Sequence, residues 1–153
     1  MSLLRRGSTA YHLTGAELAI AYYSALLAGA CEIAGQVEEG LSLLDDALQV
    51  VERTKERWLE AELYRQKGQM LVSQGSGAAE GFYRKSIAIA VEQKAKLWEL
   101  RATTSLARLL GGQQRQAEAR ELLANVYSWF TEGFKTSDLK DAKALLDELG
   151  VGG

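Results

Sequence analysis

A repeat with a period of roughly 40 residues is the feature that most constrains how this 153-residue chain can fold. Two sets of equivalent positions show it by their nearly constant spacing: Ala47, Ser86 and Val126 in one set, and Ala28, Gly68 and Ala107 in the other. Each repeat holds two stretches with apolar residues at every third or fourth position, the spacing of an amphipathic helix. Because one helical pair cannot bury its apolar face alone, we expect the pairs to stack.

The repeat divides the chain into a lead-in at residues 1–13 and a repeat domain at residues 14–153. The lead-in shows no clear period, so we expect it to be partly disordered or derived from the expression vector. Within the domain we expect repeats at about 14–55, 56–95 and 96–133, followed by a capping helix at 137–149. No segment alternates with the two-residue period of a strand, which predicts an all-α fold class.

Local signals support individual helices. Thr14 and Glu17 have the spacing of a capping box, which predicts that the first helix begins there. Gly35 is expected to end that helix with a positive φ. In the capping helix one apolar stripe is predicted, made of Leu139, Ala142, Leu146 and Leu149.

Composition excludes several classes of partner. The chain is 47% hydrophobic and 25% charged, contains no proline and has a net charge of −2. This balance is typical of a globular protein and provides no basic face for nucleic acid or an anionic membrane. No apolar run approaches the roughly 20 residues that span a bilayer. We therefore expect a cytoplasmic protein with no nucleic-acid and no membrane partner.

Residues that could support catalysis are scarce. His12 is the only histidine, which excludes a histidine-based triad and a multi-histidine metal site. Cys31 is the only cysteine and lies on an apolar helix face, so a structural role is favoured over a nucleophilic one. The glycine-rich stretch at 75–81 lacks the Lys-Ser/Thr ending of a phosphate-binding loop, which favours a turn between helices. We predict no catalytic residue, no metal and no cofactor.

The turn and helix after the first helix resemble the second-helix signature of the tetratricopeptide repeat. The matching residues are Gly35, Val37, Gly40, Leu44 and Ala47, with Gly68 at the small position of the next first helix. Small residues are needed there because they let two crossing helices approach closely. The present repeat is longer than the usual period of about 34 residues and lacks the proline at its end. The resemblance implies a right-handed α-α superhelix of three helical hairpins plus a C-terminal capping helix.

A broader likeness covers residues 14–149. This run is similar to the C-terminal repeat region of bacterial multidomain proteins that join an adenylate/guanylate cyclase or a transcriptional regulator domain to a predicted ATPase. The stretch at 127–134 and the closing helix carry the likeness best. It implies a non-catalytic interaction or scaffold module of a bacterial signalling protein, with any cyclase or ATPase activity residing in other domains of the parent.

The concave groove is the candidate binding surface, since the first helix of each pair lines it in tetratricopeptide arrays. The resemblance implies these groove residues: Tyr22, Glu62, Arg65, Gln69, Arg101, Thr104 and Arg108. Three arginines facing one groove can hold a carboxylate or an acidic peptide through paired hydrogen bonds. The alternative is that these positions are ordinary solvated ones, with Glu62 neutralising part of the charge.

Two functions therefore stay open. In the first, the groove binds a protein or peptide, or other domains of the parent chain. In the second, the chain is a structural dimerisation element with no groove ligand. The first hairpin has no helix ahead of it, so its exposed edge is expected to be covered by an upstream repeat or by a second copy in a homodimer.

Overall fold

The structure, a computed structural model, describes the backbone of residues 17–151 and the side chains of residues 19–150. Within that range the chain is all-α, without strands. The seven helices described there are α1 (Glu17–Ile33), α2 (Val37–Thr54), α3 (Glu60–Ser73), α4 (Ala79–Glu92), α5 (Lys96–Gly112), α6 (Gln116–Tyr127) and α7 (Ser137–Val151). The lead-in at 1–13, His12, and Thr14 of the expected capping box lie outside the described residues.

A residue with positive φ follows each of the first six helices. Three are glycines and three are not: Gly35, Gly75 and Gly133, and Lys55, Lys94 and Gln114. Along the chain these residues are almost evenly spaced, at half the period of the sequence repeat. Gly35 has a φ of +79°, as its place in the sequence predicts.

Four of these turns close with the same hydrogen bond. In each, the residue after the left-handed position donates its backbone N–H to a carbonyl five residues earlier. The pairs are Gln36 to Cys31 (2.7 Å), Ser76 to Leu71, Ala95 to Ala90 and Arg115 to Leu110 (each 2.9 Å). This bond satisfies carbonyl groups that a helix end would otherwise leave unpaired. The same left-handed residue and the same hydrogen bond therefore end four of the helices.

The described helices contact mainly their neighbours in sequence. The most extensive contacts join α1 to α2, α3 to α4 and α5 to α6. Each such pair meets the next through its second helix, and the first helices also meet: α1 with α3, α3 with α5, and α5 with α7. No comparable contact joins α1 to α5, α6 or α7. Within the described range the helical pairs thus form an open succession.

The two helices of each pair cross where both carry a small residue. A Cβ added at Gly40 would lie 3.3 Å from the carbonyl oxygen of Ala28, and one added at Gly68 would lie 3.3 Å from that of Ala79. The third pair has two fully buried alanines at the equivalent positions, Ala107 and Ala119. Small side chains at equivalent positions therefore permit the same close approach in all three pairs.

Helix α7 covers the far end of the third pair. It contacts both α5 and α6 and buries Leu139, Ala142, Leu145 and Leu149. The predicted stripe is incomplete, because Leu145 is also buried, while Leu146 is half-buried and packs against the same core. No helix in the described part of the chain combines the length and the apolar character needed to cross a membrane.

Candidate functional site

A cavity of about 690 Å³ opens between α3, α4, α5 and α7. A second cavity, of about 640 Å³, lies between α1 and α3. Arg65, Gln69 and Ser73 of α3 border both cavities. The two cavities adjoin along α3, and we refer to them together as the groove.

The structure brings most of the predicted site residues to this groove. Five of the seven line the larger cavity: Arg65, Gln69, Arg101, Thr104 and Arg108. Glu62 does not line this cavity itself, but it accepts hydrogen bonds from Arg65 and Arg101, which do. Tyr22 lines neither cavity, and its ring packs edge-on against Tyr23 with centroids 5.9 Å apart. The side chain of Thr104 is buried, and its hydroxyl donates to the Leu100 carbonyl at 2.8 Å.

Two of the three arginines are already paired with carboxylates. Arg65 donates two hydrogen bonds to Glu62, from Nη2 at 2.6 Å and from Nε at 2.9 Å. Arg101 donates two to Asp138, at 2.9 Å and 3.1 Å, and a third to Glu62 at 3.3 Å. Both carboxylates are mostly buried, and these hydrogen bonds raise the pKa of Arg101, with Asp138 the larger cause. Arg65 and Arg101 therefore make the paired hydrogen bonds that were expected for a ligand carboxylate to carboxylates of the protein itself.

The same network reaches the first helix. Arg65 donates from Nη1 to Oε1 of Gln69 at 2.8 Å, and Gln69 donates from Nε2 to Glu32 at 3.0 Å. A continuous chain of polar contacts thus crosses four helices in the order Glu32, Gln69, Arg65, Glu62, Arg101 and Asp138. It joins α1, α3, α5 and α7 along one side of the groove.

Arg108 differs from the other two arginines. Its side chain is exposed and lines the larger cavity, yet it forms no hydrogen bond or ion pair with any residue that the structure describes. Its guanidinium keeps all five N–H donors available. Of the three arginines that the sequence placed in the groove, this is the one that can bind a ligand without breaking an internal contact.

Tyr83 of α4, which is not among the seven predicted groove residues, also faces the larger cavity. The residue is 3% exposed, and its hydroxyl is hydrogen-bonded to no described residue. Burial raises its pKa to about 12, with a further contribution from Glu32, while Arg65 and Arg108 act in the opposite direction. At neutral pH the phenol is therefore a neutral hydrogen-bond donor close to charged groove residues.

Cys31 lies apart from these groups. It is half-buried against the core that α1 and α2 share. Burial, followed by the charge of Glu39, raises the pKa of its thiol, which lowers the thiolate fraction at neutral pH. In the part of the chain with described side chains, no group of three or more His, Cys, Asp or Glu residues could hold a metal ion.

No family model matches this sequence, and no curated protein resembles it at a significant level. The groove geometry is therefore the basis for a functional proposal.

Proposed function

We propose that this chain is a non-catalytic protein-interaction module that binds a peptide segment in its groove. The proposal includes the finer architecture, a right-handed tetratricopeptide-like superhelix of three hairpins closed by α7. Supporting observations are the neighbour-only packing of the pairs, the even spacing of the left-handed turn residues, and the small residues at equivalent crossings.

The observation that carries the proposal is the combination of Arg108 and Tyr83 in one cavity. Both side chains present donors that no described residue accepts, while the neighbouring Arg65 and Arg101 are held by carboxylates. The ring of Tyr83 is buried, whereas its hydroxyl is not among the buried polar atoms that lack a partner and opens into the cavity. A ligand can therefore accept from the hydroxyl without displacing the ring. A ligand carboxylate would accept from the guanidinium and from the phenol at the same time.

The rest of the groove favours a peptide over a small anion. Leu26, Ile33 and Val72 line its cavities and are exposed to solvent, so they offer contacts for apolar side chains. Because Glu32, Glu62 and Asp138 offset the paired arginines, a highly acidic ligand gains little from this surface. The ligand that fits is a peptide with one carboxylate that reaches Arg108 and apolar residues that extend towards α1.

The biological setting is proposed from the sequence likeness alone. We place the module in the cytoplasm, as the C-terminal region of a larger bacterial signalling or regulatory protein of the cyclase/ATPase type. In that setting the bound peptide belongs to a separate protein or to another domain of the parent chain.

A displayed library of random peptides tests the proposal. Peptides selected on the wild-type chain are synthesised, labelled and measured by fluorescence anisotropy against three variants. Arg108→Glu should weaken binding by about 10- to 100-fold, the value of one charge-assisted hydrogen bond. Tyr83→Phe, which removes only the hydroxyl, should weaken binding by about 3- to 10-fold. Arg120→Glu is the charge-matched control, because Arg120 is exposed on α6 outside both cavities.

Two results would contradict the proposal. One is a selection that enriches no peptide. The other is a selected peptide that binds the Arg108→Glu and Arg120→Glu variants equally well. Replacing the peptide's carboxylate by an amide supplies a further check, since it should reduce wild-type affinity about as much as Arg108→Glu does.

The alternative function, a structural dimerisation element, has one specific observation in its favour. This is the apolar outer face of α1.

A further inference from the structure

Helix α1 inverts the usual distribution of side chains on a surface helix. Among its described side chains, at residues 19–33, the buried ones are all small: Ala21, Ser24, Ala25 and Ala28. Five of its large apolar residues face solvent with exposures between 40% and 91%: Tyr22, Tyr23, Leu26, Leu27 and Ile33. Residues 18–31 contain no charged side chain. A helix that is apolar on all sides is normally covered on all sides, so this face is suited to a partner.

The size of the face sets the strength of any contact. The five large side chains expose on the order of 600 Å² of mostly apolar surface, at the upper end of the largest patches on monomeric proteins. Two such faces in contact would bury about 1,200 Å², the lower limit of a specific interface. Such an area favours a reversible complex that dissociates in the micromolar range.

The charges elsewhere decide which surface of a second copy can cover this face. At the other end of the described chain, α7 exposes Lys140, Lys143, Asp147 and Glu148. Packing α1 against that end would bury charges against apolar side chains, which is costly. The outer face of α2 is also charged, with Glu38, Glu39 and Asp45 exposed. The α1 face of a second copy, with no charged residue between positions 18 and 31, can cover this face without burying a charge.

We propose that α1 forms a two-fold symmetric homodimer interface, in which the outer faces of two α1 helices pack on each other. Tyr23 and Leu27 belong to this interface, since both are exposed on the side of α1 away from its buried alanines. A contact between like faces closes on itself, so association stops at the dimer and does not continue into a filament. Leu26 and Ile33 of this face also line the smaller cavity, towards which the proposed peptide extends. Tyr23 and Leu27 line neither cavity, so substituting them tests the dimer and leaves the groove lining unchanged.

Sedimentation equilibrium of the full chain tests the proposal. Between about 1 and 200 μM, the wild-type mass should rise from that of the monomer towards that of the dimer. The double variant Tyr23→Glu/Leu27→Glu should remain monomeric over the same range. Val91→Glu/Leu97→Glu is the matched control, since those residues, on α4 and α5, are 52% and 42% exposed and should leave the dimer intact.

A wild-type chain that is monomeric throughout that range would overturn the proposal. So would a dimer that persists in Tyr23→Glu/Leu27→Glu. Circular dichroism establishes that the variant is folded. If it is not, Ala30→Cys in a Cys31→Ser background replaces it, because two α1 helices in contact should form an intermolecular disulfide under mild oxidation. Ala88→Cys, exposed on α4, should form none, and equal cross-linking at both sites would contradict the symmetric contact.

Discussion

At Gly68, helix α3 crosses α4 with the ring of Tyr83 lying directly against the glycine backbone. A Cβ at this position would come within 2.8 Å of two ring carbons of Tyr83 and within 3.3 Å of the Ala79 carbonyl oxygen. The ring is held by the core and by the groove wall, so it cannot move aside without cost. The same ring carries the hydroxyl proposed to bind ligand, which links the crossing to the site.

Gly68→Ala should therefore destabilise the fold by about 1–3 kcal/mol, because overpacking outweighs the gain of about 1 kcal/mol in helix propensity. Gly81→Ala is the matched control, since nothing lies within 4 Å of its added Cβ and it should stabilise α4 slightly. Chemical denaturation of both variants makes the comparison. Equal shifts of the same sign would show that the close crossing is absent.

The buried phenol of Tyr83 predicts a pH dependence of stability. Its pKa is about 12 in the folded chain, against an ordinary value of 10.0. Between these values the unfolded chain loses a proton that the folded chain keeps, so the free energy of unfolding falls as pH rises. Below pH 10 this contribution is constant.

The pH dependence can be isolated with Tyr83→Phe, which cannot titrate at this position. From pH 10 to pH 12 the wild type should lose on the order of 2 kcal/mol relative to the variant, with no relative change between pH 7 and pH 9. Denaturant unfolding at each pH measures the difference. A constant difference up to pH 12 would mean that burial of the ring does not raise the pKa of Tyr83.

Five of the seven groove residues predicted from the sequence line one cavity, because the repeat places equivalent positions on one face. It could not show which arginines are neutralised, since Arg101 meets Glu62 and Asp138 across 39 and 37 residues of chain. It missed Tyr83 because that residue lies on a second helix, where the repeat pattern predicts only packing. The pattern alone does not report whether the hydroxyl of a packed tyrosine opens into a cavity.

At the scale of elements, helix ends were partly predictable. Glycines marked three of the six left-handed turn residues, whereas Lys55, Lys94 and Gln114 carry no residue-type signal for a positive φ. The even spacing of the turns, at half the repeat period, is the signal that would have identified them. Apolar residues continue at helical spacing to Phe130 in the sequence, but α6 ends at Tyr127. The Phe130 N–H donates to the Tyr127 carbonyl in a tighter turn.

The capping role of α7 yields a prediction that separates two adjacent leucines. Leu145 is buried against α5 and α6, so Leu145→Ala should cost about 2–4 kcal/mol through the cavity it leaves. Leu146→Ala, at the half-buried neighbour, should cost about 1 kcal/mol or less. Thermal denaturation of both variants tests the order. The reverse order would mean that α7 packs with the face that the sequence pattern favoured.

At the scale of the molecule, short-range contacts are what make an array with a groove possible. The first helices meet in the order α1, α3, α5 and α7, with no comparable contact between α1 and α7. Three steps of 8–10 Å between neighbouring axes place α1 and α7 about 25–30 Å apart. A closed bundle of the same helices would have no groove of this kind, and the proposed peptide site would be lost.

The distance between α1 and α7 is therefore the most direct measurement of the central claim. Spin labels at Ala30→Cys and Ala144→Cys, both exposed, are introduced in a Cys31→Ser background, and the labelled chain is diluted with unlabelled chain. Double electron–electron resonance should give a distance of about 25–35 Å between the two labels, as expected for three successive helix steps. A distance of about 10 Å, that of helices in direct contact, would contradict the open array.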